Sequence, residues 1–198
     1  EAAPSALLSW QEKKIIDRPP LPTIADGIAV GRPGEKTFEI ISRLVDEMHL
    51  VGEAAIAKAI LLFLERKKLV VEGAGAVTLA ALMENREKYE NKRVVLVLSG
   101  GNIDFTIIDG IIRKGLVTSN RIGVFEVVVD DAVGSLHSVI GIIASHRANI
   151  LDILHDRLAA DLSFGKAKVV FTVEIRGKSH LERIYADLRE RGYEVRER

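Results

Sequence analysis

Apolar residues fall into two kinds of pattern along the chain, and the change between them comes near residue 120. Before it, the helical period dominates. The stretch EKTFEIISRLVDEM (35–48) sets Phe38, Ile41, Leu44 and Val45 on one side of a helix, after the turn signal GRPGE. EAAIAKAILLFLERKK (53–68) repeats the period with Ile56, Ile60, Leu61, Phe63 and Leu64, and ends in a cationic turn that complements the helix dipole. GAGAVTLAALMENREKY (73–89) predicts a third helix, whose small leading residues allow close approach. VVLVL (94–98) is apolar without alternation. That is the pattern of a parallel strand covered on both faces, so an α/β arrangement with a parallel sheet and helices is predicted.

Beyond residue 120 the period becomes two. VFEVVVD (124–130) and AKVVFTVEI (167–175) alternate, with Val169, Phe171, Val173 and Ile175 on one face and Lys168, Thr172 and Glu174 on the other. Alternation predicts antiparallel strands with one buried face. Between them, Leu136, Val139, Ile140 and Ile143 share a helical stripe, and NILDILHDRL (149–158) reads as a strand. Leu181, Ile184, Tyr185 and Leu188 mark a second helix over 179–192, and YEVRER closes the chain. The predicted order is β-α-β-β-α-β, an α+β, ferredoxin-like split βαβ fold. Two domains follow, 1–117 and 121–198, with the boundary in RKGLVTSNR (113–121). No internal repeat is present.

Composition narrows the possible functions. Lys plus Arg and Asp plus Glu each number 28, which gives no bulk charge for a nucleic-acid or membrane surface. The apolar runs are too short for a membrane span and no signal segment opens the chain, so a cytoplasmic protein is expected. Without cysteine, disulfides and thiolate chemistry are excluded, and the five histidines show no metal-ligand spacing. The chain opens at Glu1 with residues that read as the middle of a fold, so a piece of a longer protein is expected.

The chemistry centres on VVLVLSGGNID (94–104), where an apolar run ends in Ser99, Gly100, Gly101 and Asn102. A strained serine nucleophile needs glycines on both sides in G-x-S-x-G, whereas here Leu98 precedes Ser99. Backbone amides of small residues at a turn can bind a phosphate, and two glycines can equally just tighten the turn. A small polar contact to something lying in a pocket is the third reading.

Two further stretches accompany it in order: TIADGIAVGRPGEKTFE (23–39) and LVVEGAGAVTLAAL (69–82). Together the three resemble the C-terminal half of the threonine dehydratase (threonine ammonia-lyase) family, fold-type II enzymes that use pyridoxal 5'-phosphate. The resemblance covers residues 1 to about 115. The last part, with DDAVGSL (130–136) and ANI (148–150), resembles an ACT domain, the small module that senses amino acids. Val133 stands where many such domains have proline.

The resemblance implies roles residue by residue. Ser99 would hydrogen-bond the pyridine nitrogen of the cofactor, and Gly100, Gly101 and Asn102 would shape the wall beside the ring. Asn102 could equally cap the following turn. Glu72 would lie near the cofactor or serve as an acidic N-cap. Ala25, Asp26 and Gly27 would pass the cofactor's open face, although Asp26 also suits an ordinary turn. The family's Schiff-base lysine, in S-F-K-x-R-G, and its phosphate-cupping glycines are not in this chain, so no catalytic residue is assigned and the chain alone is expected to be inactive. Relatives bind a divalent cation through carboxylates near the segment matching residues 1–5; Ala3 and Ser5 stand here, and no metal is expected.

The implied reaction is L-threonine to 2-oxobutanoate and ammonia, with L-serine as second substrate. The implied partners are the missing N-terminal half of the catalytic domain, other copies of the chain through the ACT domain, and an effector amino acid. Gly134, Ser135, Leu136, Asn149 and Ile150 would contact that effector, for which isoleucine or valine suits feedback control. His155, alternating with Asp156, reads as a surface or interface residue rather than a catalyst. Two other readings stand beside this one. One is a serine dehydratase or racemase relative. The other is a non-catalytic, amino-acid-binding oligomerisation module. For the effector residues themselves a separate alternative is that they are turn and strand-start residues of a domain used only for assembly.

Overall fold

The computed structural model describes residues 1–158 and 161–197, which form two compact units, Glu1–Gly115 and Leu116–Arg198. The predicted helices of the first unit form as α2 (Glu35–Leu44), α3 (Glu53–Leu62) and α4 (Gly73–Glu84), with an unpredicted α1 (Ser5–Glu12) before them and α5 (Phe105–Thr118) after, which ends three residues past Gly115. Helix α3 runs on into a π-helical turn, Phe63–Lys67, and stops where Lys68 takes a left-handed backbone with φ 57°. Its stripe packs as predicted, with Ile56, Ile60 and Phe63 buried beside Val71, Ala76 and Ala80. Helix α2 is shorter than its pattern. It ends at Leu44, where Val45 turns extended at φ −89° and ψ 120°.

Helix α4 is built for proximity. Gly73, Ala74, Gly75, Ala76 and Ala80 are all buried, so its first turns meet neighbouring backbone with no side chain between. Helix α5 is absent from the sequence reading. Its start is fixed by Asp104, whose Oδ1 accepts both the Thr106 N–H and the Thr106 hydroxyl at 2.9 Å.

The predicted parallel strand at 94–98 is not formed. Residues 93–104 carry no regular structure, and among the described residues the only sheet lies in the second unit. A strand has no hydrogen bonds within itself and exists only between neighbours. No described segment of the first unit supplies one, and Val95 and Val97 are left 89% and 69% exposed.

In the second unit β1 (Ile122–Asp130), α6 (Ser135–Ser145), β2 (Asn149–Asp156), β3 (Lys166–Glu174), α7 (Lys178–Glu190) and β4 (Glu194–Glu197) follow in that order. The predicted last segment reaches Arg198, which lies outside the described residues. The sheet has the order β2-β3-β1-β4 with every pair antiparallel, the split βαβ topology. Phe125 and Phe171 face each other across β1 and β3, with ring centroids 5.6 Å apart, and Tyr185 of α7 meets Phe125 edge-on at 5.2 Å. Val127, Val169, Val173, Val139, Ile143, Ile184 and Leu188 complete this core.

In the second unit two polar residues are buried where the pattern gives no warning. Glu126 sits on the opposite face of the sheet, 3.9 Å from Lys168 Nζ and 3.6 Å from Arg196 Nη1. His180 joins the two helices: its Nδ1 accepts the Arg176 N–H at 3.2 Å and its Nε2 donates to the His146 carbonyl at 2.8 Å. Among the described residues no helix is long and apolar enough to cross a membrane.

Burial pushes the Tyr185 phenol up from 10.0 to about 12, with Glu197 adding to the rise and Arg189 opposing it. The unfolded chain releases this proton near the ordinary value, so the contribution to stability is complete below it and is lost as pH rises through about 12. In an alkaline titration followed by tyrosinate absorbance, one of the three tyrosines should ionise late, as the second unit unfolds. That late step should be missing in Tyr185→Phe.

Candidate active site

The site is built around the first turn of α4. Glu72 is its N-cap residue, extended at φ −69° and ψ 163°, and its side chain makes no bond to its own helix. Instead the carboxylate Oε2 accepts the backbone N–H of Asn102 at 3.1 Å, while the Glu72 N–H donates to the Gly100 carbonyl at 3.4 Å. One residue therefore holds both ends of Gly100–Asn102.

The glycines around it leave the space that this requires. Gly100 is left-handed at φ 92°, and a Cβ on it would fall 2.4 Å from the Glu72 carboxyl carbon. A Cβ on Gly27 would come within 3.5 Å of Glu72 Oε1 and 3.2 Å of Ala74 Cβ. On α4, a Cβ at Gly73 would lie 1.9 Å from the Ile24 carbonyl oxygen, and one at Gly75 would lie 2.7 Å from the Ser99 carbonyl oxygen. Thus the 23–27, 72–75 and 99–102 segments, distant in sequence, converge on one helix turn.

The three segments place the predicted residues as follows. Ser99, Gly100, Gly101 and Asn102 form an exposed turn against α4. The cap of the next helix is Asp104 rather than Asn102. Asp26 is exposed and closes its own turn, accepting the Gly27 N–H on Oδ1 at 2.8 Å and the Ala29 N–H on its carbonyl at 2.9 Å. Ser5 donates its hydroxyl to the Val30 carbonyl at 2.5 Å.

Two residues that sequence reasoning missed support the same region. Glu53, at the start of α3, accepts the Ile24 N–H at 2.9 Å and the Thr23 hydroxyl, which holds the entry to the 23–27 segment. Thr78 donates to the Val97 carbonyl at 3.4 Å. Only an acidic residue at a helix start was visible in advance for Glu53. A mostly apolar cavity of 280 Å³ is lined by Ala25, Ile28, Leu50, Ile56, Val77 and Thr78 among others, but by neither Ser99 nor Glu72.

In the second unit Gly134, at φ 92°, is the N-cap of α6, and Ser135 and Leu136 open that helix. Leu136 and Ile150 both pack partly against the core. Asn149 starts β2 opposite Glu174, which in turn pairs with Ile122 at the beginning of β1, whereas Gly134 follows the end of β1. Strand rise puts these two groups roughly 27 Å apart along the sheet, so one copy of the chain does not bring them together. His155 is exposed on β2.

This arrangement, a hydroxyl and two glycines clamped to a helix start by a carboxylate, invites comparison with known proteins. The family described as pyridoxal-phosphate dependent enzymes matches residues 1–100. The chain belongs to that family. It is 47% identical over 194 residues to an L-threonine ammonia-lyase of Geobacter sulfurreducens, covering 98% of this chain and 48% of the relative. An L-threonine ammonia-lyase of Thermotoga maritima is also 47% identical, over 175 residues, covering 88% of this chain and 43% of the relative. The processed form of threonine deaminase isoform 2 from Solanum lycopersicum is similar in structure, with a TM-score of 0.53 and 32% identity, over 57% of this chain and 33% of that one. The chain thus spans a little under half the length of the two ammonia-lyases.

For this member of the pyridoxal-phosphate family, Gly75 gives the sharpest packing test. In a helix, Gly→Ala gains about 1 kcal/mol of propensity. Against a backbone carbonyl at 2.7 Å the added methyl must displace the 99–102 turn, and overpacking of this kind costs about 1–3 kcal/mol. Gly75→Ala should therefore lower the denaturation midpoint of the first unit, measured by urea unfolding.

Proposed function

We propose that this chain is the C-terminal part of a pyridoxal-phosphate-dependent threonine ammonia-lyase, converting L-threonine, and secondarily L-serine, to the 2-oxo acid and ammonia. The observation that carries the reading is the meeting of three motif segments at Glu72 and Ser99. It is supported by the 47% identity that runs through both units in the Geobacter relative. Bound pyridoxal phosphate supplies an electron sink that acidifies the Cα–H of an amino acid.

The residues present fit the pyridine-nitrogen end of that group. Ser99 offers a neutral hydroxyl, which can donate to an unprotonated ring nitrogen but gives no counter-charge to a protonated one. Gly100 and Gly101 leave the wall beside it free of side chains, and Asn102, Glu72, Gly27 and Asp26 frame it. The lysine that would hold the cofactor and move the Cα proton is proposed to lie in sequence matching the N-terminal half of the relatives, since no lysine here stands in the S-F-K-x-R-G context. The uncovered Val94–Leu98 segment suits that half as its strand neighbour.

The second unit is assigned as an ACT domain. Its β-α-β-β-α-β order and antiparallel β2-β3-β1-β4 sheet support this. Strand β2 is a free edge with Leu151 and Leu154 exposed, and an open edge is suited to pairing with a second copy. Side-by-side pairing would place Gly134–Leu136 of one copy near Asn149–Ile150 of the other, around isoleucine or valine as effector.

One experiment tests both assignments. The chain is mixed with a polypeptide matching the N-terminal half of the Geobacter relative, and 2-oxobutanoate is followed with pyridoxal phosphate and L-threonine. Turnover should appear only in the mixture, fall about ten-fold or more with Ser99→Ala, and respond to isoleucine or valine. Turnover by the 198-residue chain alone, with one lysine trapped by borohydride, would overturn the division of labour.

A further inference from the structure

We propose that Glu72 is a positioning residue, a carboxylate latch that fixes the Ser99–Asn102 turn to the start of α4 before any ligand binds. The inference deepens the assignment of Ser99 above and rests on it for its functional meaning; the latch itself stands on geometry alone.

Three observations carry it. First, Glu72 holds the N-cap position yet gives its carboxylate to the Asn102 N–H at 3.1 Å, with no side-chain bond to α4. A carboxylate accepting a backbone N–H is a charge-assisted bond, stronger than the neutral one a serine or threonine would make there. Second, its own N–H donates to the Gly100 carbonyl at 3.4 Å, so backbone and side chain of one residue grip the turn at two points. Third, the neighbours are hollowed for the carboxylate. A Cβ on Gly100 would lie 2.4 Å from both the Glu72 carboxyl carbon and its Oε1. Gly27 likewise has no side chain on the Oε1 side.

The consequence falls on Ser99. Its carbonyl is pressed against Gly75, and the residue after it is gripped by Glu72. The backbone is thereby fixed on both sides of the Ser99 side chain. Glu72 acts through Ser99 and Asn102 and need not touch a ligand.

Nuclear magnetic resonance of the ligand-free chain tests this without reference to any cofactor. The amide of Asn102 should be protected from solvent exchange in the wild type, because it is held by the Glu72 carboxylate. The Gly27 amide, bonded to Asp26 Oδ1, is the internal control and should exchange at the same rate in wild type and variants. Amide exchange at Asn102 should be about ten-fold faster in Glu72→Ala, which removes the acceptor, and intermediate in Glu72→Gln, which keeps a neutral one. An Asn102 amide that is unprotected in the wild type, or that exchanges at the same rate in Glu72→Ala, would overturn the latch. Either result leaves the assignment of Ser99 to be decided by the turnover measurement.

Discussion

The first unit depends on the absence of side chains at the start of α4. At Gly73 and Gly75 the helix meets the 24–25 and 99–100 backbones so closely that a methyl group would overlap a carbonyl oxygen. Backbone packed on backbone cannot be loosened by rotamer changes, because neither surface has a rotamer to change. The cost is conformational: glycines in a helix weaken it by roughly 1 kcal/mol each. Burial of Ala76, Ala80, Ile56 and Ile60 behind them offsets this. The Glu72 carboxylate lies at the junction, and the turn bearing Ser99 closes on it.

The same constraint explains what could and could not be read from the residues alone. In the second unit the period of two was enough, because Val169, Phe171 and Val173 pair with strands inside the chain and their partners leave the same signature. Glu126 escaped because its partners Lys168 and Arg196 lie far off in sequence, and His180 because it bonds the distant His146 carbonyl. In the first unit VVLVL carries the signature of a covered strand, and none of the described residues covers it. Its composition describes an environment that this chain does not provide. Helix α5 was missed for the opposite reason: of its many isoleucines only Ile111 is buried, so no clean stripe marks the helix, and the Asp104 cap was its one clear signal.

The candidate site was legible as three motifs and illegible as a place. The resemblance singled out Ser99, Gly100, Asn102, Glu72 and Gly27 together, but the bond between Glu72 and Asn102 spans 30 residues and has no local pattern. The tie from Glu53 to Ile24 spans 29 and is equally silent in the sequence. Both are carboxylates at helix starts that reach across to a loop instead of capping. The proposed effector residues show the converse. Gly134 and Asn149 look like one site in the sequence, yet the register sets them at opposite ends of the sheet, which makes a second copy a requirement of that proposal.

On this account the chain carries a half-site already organised by its own packing, in which a flexible-looking glycine turn is held rigid by a carboxylate. The most direct measurement is of proton–proton contacts in the ligand-free chain. Nuclear Overhauser effects should link the Glu72 side-chain methylene protons to the α-protons of both Gly100 and Gly27. If the Gly100 α-protons show contacts only to residues adjacent in sequence, the turn is not held by Glu72 and the central claim fails.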